Sequence, residues 1–508
     1  MKEKLQKIGS FIRKNFNFLL FILIIISFDL LFIYSKNNDK FVNPTNGIYV
    51  ILAISNILLI LLYSFVFYKL EKIALEKLYL IIVLPIGMIL LLLFPPSTIP
   101  DENSHLLRAL EISQGHLISA KKDGTQGRYF DSNIEKIIFA QNYKLVSEVK
   151  NLKKSGKKSF YSFSNTSLYA FVCYIPQSMG VLFAKIFDLP FIFYTYFGRL
   201  LNFFVFILLS YNAIKFIPYK KMTLFFILLF PMVIQEAVSL SPDALTISMT
   251  AFFVSYVMHL KIRKQEIKKS EIAILFFSSI VLSLCKIVYL PLCFLVFLIS
   301  KNCFRTLKRK NMILITIMIV AVIINLLWLS FSSRFLPSVP NLNSSMQLHY
   351  ILCNIPKYIG VVSKTFFNYY QDYIYSSVGI FLGNFEVQLS KFPIDALLIL
   401  FIIVLLFDNN EVKKKDKLNL IESSYVFMTI FAIIILINTS LYIQWTPLKN
   451  DVVLGIQGRY FIPIYIPLMF LFSKYSFSPK VNFDNKYIFL FLVTINVYAA
   501  TAVFYQFV

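Results

Sequence analysis

The stretch Pro100-Asp101-Glu102-Asn103-Ser104-His105-Leu106-Leu107-Arg108 sets a carboxylate, an imidazole and a guanidinium at i, i+4 and i+7. On a helix that spacing places Asp101, His105 and Arg108 on one face. A carboxylate within reach of a hydroxyl can take its proton, and a guanidinium can hold an anion through two parallel hydrogen bonds. The stretch follows an apolar run closed by Pro95-Pro96, which a helix cannot pass. Pro100 and Asp101 then suit the start of a new helix, so Asp101 as a plain N-cap is the competing reading.

The elements that must position these groups are membrane helices. Of 508 residues, 58% are hydrophobic, with 54 Phe and 30 Tyr, and the mean hydropathy is +0.70. That is more apolar surface than a soluble chain can bury, and it recurs in runs near the length of a bilayer span. The expected fold is an all-α polytopic membrane protein. The formal charge of +24 lies mostly in short links between apolar runs, where Lys and Arg set orientation and touch anionic lipid. This excludes a nucleic-acid partner. Cys173, Cys285, Cys293, Cys303 and Cys353 lie in or beside apolar runs, an odd number that fits neither a disulfide framework nor a zinc site.

Loop charges order the spans. A basic Met1–Lys14 places the N terminus in the cytoplasm, and spans near Asn15–Tyr34, Asn46–Tyr68 and Lys77–Phe94 follow. Residues 1–76 then read as two additional helices ahead of a multi-spanning domain, 77–508, whose first large outer loop is 95–190. Further spans are expected near Phe191–Phe216, Thr223–Val238, Ala244–Leu260, Ile272–Ser283, Ile287–Leu298, Asn311–Phe331, Phe392–Phe407, Ser423–Tyr442, Arg459–Phe472 and Lys486–Tyr505, with a second outer loop at 332–391. Basic links at Lys220-Lys221 and Lys261–Lys269 fix the parity, so Leu168–Phe187 is read as interfacial or re-entrant rather than crossing. The total is about 13 spans. Asp101, Glu102, His105, Arg108, Arg199, Asp243, Lys286, Gln457 and Arg459 all fall at outer ends of spans in this arrangement. Ionised groups at a membrane are costly and usually face cavities or partners.

Five segments recur in order: Pro100-Asp101-Glu102-x-x-His105-x-x-Arg108, Phe197-Gly198-Arg199-Leu200-Leu201-Asn202, Phe230-Pro231-Met232, Ser241-Pro242-Asp243-Ala244, and Gly455-Ile456-Gln457-Gly458-Arg459-Tyr460-Phe461-Ile462-Pro463. From about Leu80 onward the chain resembles the bacterial membrane-protein family catalogued as domain of unknown function 2142. That family is similar to the C-class glycosyltransferase (GT-C) superfamily. The resemblance implies an inverting enzyme that moves a sugar from a polyprenyl-phosphate carrier, with an essential acid in a first outer loop that carries juxtamembrane helices. It implies Asp101 as catalytic base with Glu102 as alternate. Arg459, Lys286 and Arg199 are then the cations for the leaving phosphate, and His105, Arg108, Asp243, Gln457 and Tyr460 further substrate-binding groups. A divalent cation on Asp101, Glu102, His105 or Asp243 suits the ligand types, although the spacing dictates none. The partners expected are a lipid-linked sugar donor, a cell-surface glycan acceptor and membrane lipids, with the site on the extracytoplasmic face of a plasma membrane. Two other readings stand beside it, a flippase or transporter of lipid-linked saccharide and a non-catalytic subunit of polysaccharide assembly. A transporter would favour inverted repeats and ionisable groups near the bilayer midplane, and the absence of a phosphate-binding Gly loop argues against a nucleotide-driven pump.

Overall fold

The computed structural model describes residues 73–263, 265–332, 343–408, 416–473 and 485–507. The first two expected spans lie outside the described residues. The protein is an all-α membrane protein in its main body: among the described residues six helices are long and apolar enough to cross a bilayer. They are α1 (Leu75–Leu93), α4 (Ile192–Phe216), α7 (Asp243–Arg263), α9 (Leu307–Ser332), α12 (Leu420–Gln444) and α14 (Asn485–Phe507). Between them run α2 (Glu102–Ser113), α3 (Ile175–Ile186), α5 (Lys221–Ile227), α6 (Pro231–Ala237), α8 (Lys269–Cys285), α10 (Ile355–Val378), α11 (Lys391–Phe407) and α13 (Ile462–Leu471).

The run Thr223–Val238, expected as one span, is instead two short buried helices, α5 and α6. Phe230 is extended (ψ 138°) and Pro231 opens α6, because a residue before proline is driven out of the helical region. Backbone broken in this way is tolerated at membrane depth only inside protein, and here every residue from Leu224 to Val238 is buried. Ile287–Leu298 and Gly458–Leu471 are likewise short apolar elements, built partly of 3-10 turns. Leu168–Phe187 resolves into a 3-10 turn at Phe171–Tyr174 followed by α3, also too short for a span.

α3 packs on α4 through small residues, the device that lets membrane helices approach closely. A Cβ on Gly180 would lie 2.0 Å from the Phe197 carbonyl oxygen, and one on Gly198 would lie 2.6 Å from Leu240. Gly180→Ala should therefore push the helices apart and cost about 1–3 kcal/mol, as overpacking does. A lower unfolding midpoint in detergent would show it, and an unchanged midpoint would show that the helices are free to separate.

The loop 95–190 departs from expectation in carrying a sheet. β1 (Ala120–Lys122), β2 (Thr125–Asp131) and β3 (Lys158–Ser162) form an antiparallel sheet in the order β1-β2-β3. Lys122 pairs with Thr125, so Asp123-Gly124 is a two-residue turn, with φ of 49° and 79°. Positive φ at both central residues is the geometry of the tight hairpin that Asp-Gly favours. Phe130, Ile134, Ile137 and Phe163 form a core of their own with Leu106 and Leu110 of α2.

The helix ends sort into two groups. At one end Lys221 pairs with Glu76, Lys261 with Glu422 and Arg263 with Glu271. There α5 and α11 cap each other: Lys220 donates to the Leu405 carbonyl, and Asp408 accepts from the Thr223 amide and hydroxyl. At the other end gather the residues named from sequence.

Candidate active site

Asp101 does not cap α2. It occupies the cap position but makes no capping hydrogen bond, and its φ of 60° lies in the left-handed region. Non-glycine residues held there are uncommon and concentrate at functional sites. The turn is imposed from beneath by Arg199 on α4. Its guanidinium donates to the carbonyls of Phe94 (2.5 Å), left orphaned where α1 ends, and Pro95 (2.9 Å), which also accepts from the Thr98 hydroxyl. It also grips Glu102 through two bonds, Nε to Oε1 at 2.7 Å and Nη2 to Oε2 at 2.5 Å. Glu102 accepts as well from the Ser97 amide at 3.0 Å. Both side chains of this pair are essentially fully buried, at 0% and 1% exposure.

Two of the expected site residues are thus engaged with each other. Glu102 has both oxygens committed and is 1% exposed, and Arg199 is bonded to that carboxylate and to main chain. Together they hold Asp101 outward, with 52% of its side chain exposed. Arg108 is also drawn away. It pairs with Glu111 and donates to Ser119 (3.2 Å) and the Leu117 carbonyl (2.9 Å), while Arg128 of β2 reaches the same Glu111 at 2.8 Å. This buried knot joins α2 to the sheet. Asp101, His105 and Arg108 thus face three different partners, since the helix begins one residue after Asp101.

The groups that do converge come from distant parts of the chain. Asp243 opens α7 and forms an ion pair with Lys286 at 2.5 Å, from the extended residue after α8. Arg459, in the 3-10 turn Gly458–Phe461 before α13, lies 3.2 Å from Glu236, 3.5 Å from Asp243 and 3.8 Å from Asp101. Tyr460 covers both cations, its ring centre 4.6 Å from Lys286 and 5.7 Å from Arg459, and Tyr169 flanks Lys286 at 5.7 Å. Cation–π contacts of this kind strengthen where water is excluded. One oxygen of Glu236 and the Nε of Arg459 are buried without a hydrogen-bond partner among the described residues. Buried polar atoms are seldom left so, and the site has bonding capacity to spare.

Glu236 is not among the residues expected from sequence, since it sits inside the run Thr223–Val238 expected as one span. Its signal was available: an acid within apolar sequence is by default a functional candidate. Gly458 is needed for close approach, since a Cβ there would lie 2.3 Å from the Tyr373 carbonyl oxygen of α10.

His105 lies beside this cluster, bonded through Nδ1 to the Tyr174 hydroxyl at 2.8 Å. Burial pushes its imidazole down to about 3, and Arg459 lowers it further against the opposing pull of Asp243. The folded protein therefore resists protonating a group whose ordinary value is 6.5. Stability from this source is complete above pH about 6.5 and falls as pH drops below it, because the unfolded chain binds the proton first. His105→Gln should flatten the loss of thermal stability between about pH 6.5 and 4. An identical pH profile in the variant would remove His105 from that account.

Two cavities flank the cluster. One, of about 290 Å³, contains Lys286 and Tyr460 and is walled by Leu284, Val288, Trp328 and Leu441 from α8, α9, α12 and the turn after α8. The other, of about 340 Å³, contains Arg459 and Gln457 and is walled by α10 and a hairpin of β4 (Phe381–Leu382) and β5 (Val387–Gln388). Asp101 stands between them: its neighbour Pro100 lines the second cavity, and Asn165, which lines the first, lies 3.5 Å from its carboxylate. The four expected cation ligands do not assemble, since Glu102, His105 and Asp243 face Arg199, Tyr174 and Lys286. Among the described residues no group of three or more His, Cys, Asp or Glu is placed to hold a metal.

The family model described as "Predicted membrane protein (DUF2142)" matches residues 84–469. No curated protein and no solved structure matches the chain.

Proposed function

We propose that this chain, which belongs to the DUF2142 family of predicted membrane proteins, is a GT-C-like glycosyltransferase that moves a sugar from a polyprenyl-phosphate carrier to a glycan acceptor at the extracytoplasmic face of a plasma membrane. The observation that carries the reading is Asp101, an accessible carboxylate in a constrained turn, set between two cavities and backed by two cations, Lys286 and Arg459, from distant segments.

The cavity among α8, α9 and α12 suits the donor, because its wall is mostly apolar and Lys286 supplies a positive charge. The second cavity receives the acceptor. Asp101 takes the proton from the acceptor hydroxyl as its oxygen forms a bond to the anomeric carbon. The bond from that carbon to the phosphate oxygen breaks, and its electron pair leaves with the polyprenyl phosphate. Base catalysis of this kind contributes typically 10²–10⁴-fold. Lys286, with Arg459 behind it, stabilises the charge gathering on the departing phosphate. Attack from the cavity opposite the leaving group inverts the anomeric centre.

The broken α5–α6 segment, with Glu236 buried at its centre, favours a second reading, since discontinuous helices with internal ionisable groups are common in transporters. Reconstituted protein given labelled polyprenyl-phosphate sugar and acceptor separates the two. Label appearing in glycan supports transfer, and label crossing the bilayer still attached to its lipid overturns it in favour of transport.

A further inference from the structure

The cavity between α10 and the β4–β5 hairpin has more specific chemistry than an open acceptor cleft requires. Its volume of about 340 Å³ lies within the roughly 300–1,000 Å³ of small-molecule sites. Tyr369, Tyr373, Phe381 and Phe385 supply aromatic surface, and Asp372 and Gln457 supply polar groups. The Tyr369 hydroxyl, the Asp372 carboxylate and the Gln457 side-chain amide make no hydrogen bond or ion pair among the described residues. Flat apolar faces beside unspent donors and acceptors match a pyranose, which offers a C–H face and a rim of hydroxyls.

The hairpin over this cavity is held in place. Gly383 donates its amide to the Gln235 side chain at 2.7 Å, and Gln235 immediately precedes the Glu236 that binds Arg459. Phe385, 56% exposed, is kept at a φ of 67°, a conformation unfavourable for a bulky residue.

Charge narrows the ligand further. Arg459 is already faced by Glu236, Asp243 and Asp101, and Lys286 by Asp243. In the cavity itself the lining cation, Arg459, is thus already paired, and Asp372 adds a carboxylate with no counter-charge. An acceptor bearing its own negative charges would meet net repulsion there. Resting on the transferase reading above, we infer that this cavity is a subsite for an uncharged saccharide, with Tyr369 stacking on the ring and Asp372 and Gln457 accepting and donating to its hydroxyls.

The chain's 2 Trp residues report the two cavities separately. Trp328 lines the donor-side cavity. Trp445 lies behind Gly455 of the acceptor-side wall, where a Cβ would come within 2.5 Å of its ring. Trp328→Phe leaves Trp445 as sole fluorophore, and Trp445→Phe leaves Trp328. With the full chain in detergent and no donor present, maltopentaose and chitopentaose are expected to shift Trp445 emission saturably for at least one of the two. Penta-galacturonate should bind at least tenfold more weakly, and Asp372→Ala or Tyr369→Ala should weaken the neutral ligand tenfold or more. Undecaprenyl phosphate should alter Trp328 and leave Trp445 unchanged. Silence of Trp445 toward both neutral sugars, equal or tighter binding of galacturonate, or indifference to both substitutions would each overturn the subsite. Because binding is read without turnover, a protein that shifts Trp445 but transfers nothing sinks the transferase reading and keeps the subsite. One that transfers with Trp445 silent does the reverse.

Discussion

Asp101→Asn should lower sugar transfer by about 10²–10⁴-fold, the range that general-base catalysis supplies, while leaving the protein's thermal unfolding close to that of the parent. The two halves of that expectation have separate grounds. The side chain is half exposed, makes no capping hydrogen bond, and meets Arg459 and Asn165 only at 3.8 and 3.5 Å, so little of the fold depends on its charge. An amide is nearly the same size and is compatible with the same left-handed turn, since Asn tolerates that region. What it lacks is basicity. The measurement is single-turnover transfer of labelled sugar in reconstituted membranes alongside a melting curve. Transfer within a few-fold of the parent would remove the base from this position, whereas loss of both transfer and stability would mean the carboxylate is structural.

The largest effect on stability is expected one residue away. Glu102→Gln should destabilise the protein by about 3–5 kcal/mol, the cost of removing one partner of a buried ion pair, because the Arg199 guanidinium would then be buried with no counter-charge. Arg199→Met should cost a similar amount and also orphan the carbonyl of Phe94, leaving that of Pro95 with the Thr98 hydroxyl alone. The double variant Glu102→Gln/Arg199→Met should recover part of the loss, as replacing both members of such a pair often does. Transfer per folded molecule should fall in all three, since the pair sets the turn that presents Asp101. Unfolding midpoints in detergent check the first claim. A Glu102→Gln protein as stable as the parent would show that the buried pair is not what holds the turn.

The outline of the main body and the ends at which the charged residues lie were legible because both follow from long-range regularities. Apolar runs mark helices, and the parity of the basic links assigns Asp101, Asp243, Lys286 and Arg459 to one end. Which of those residues would meet was not legible. Arg199 and Glu102 are separated by 97 positions, and nothing in either local sequence says that each is the other's partner. Arg108 and Glu111 were readable as an i, i+3 pair on one helix, a simpler fate than facing a substrate. Glu236 is hidden when Thr223–Val238 is continuous; Pro231 carries the contrary signal, and with the break comes the placement of the acid. The sheet in the 95–190 loop is signalled by Asp123-Gly124 between two short runs, a local turn signal weaker than the membrane periodicity around it. The two cavities belong to packing alone, since their walls are drawn from four or more helices and turns.

That Asp123-Gly124 tip has a practical use. A Cβ added at Gly124 would meet no atom within 4 Å, and both flanking strands are already paired in register. An epitope peptide inserted there should leave the remainder undisturbed, in the way exposed loop tips commonly accept insertions. Antibody staining of intact versus permeabilised cells would then reveal on which surface of the cell envelope Asp101 resides, with no need to know a substrate.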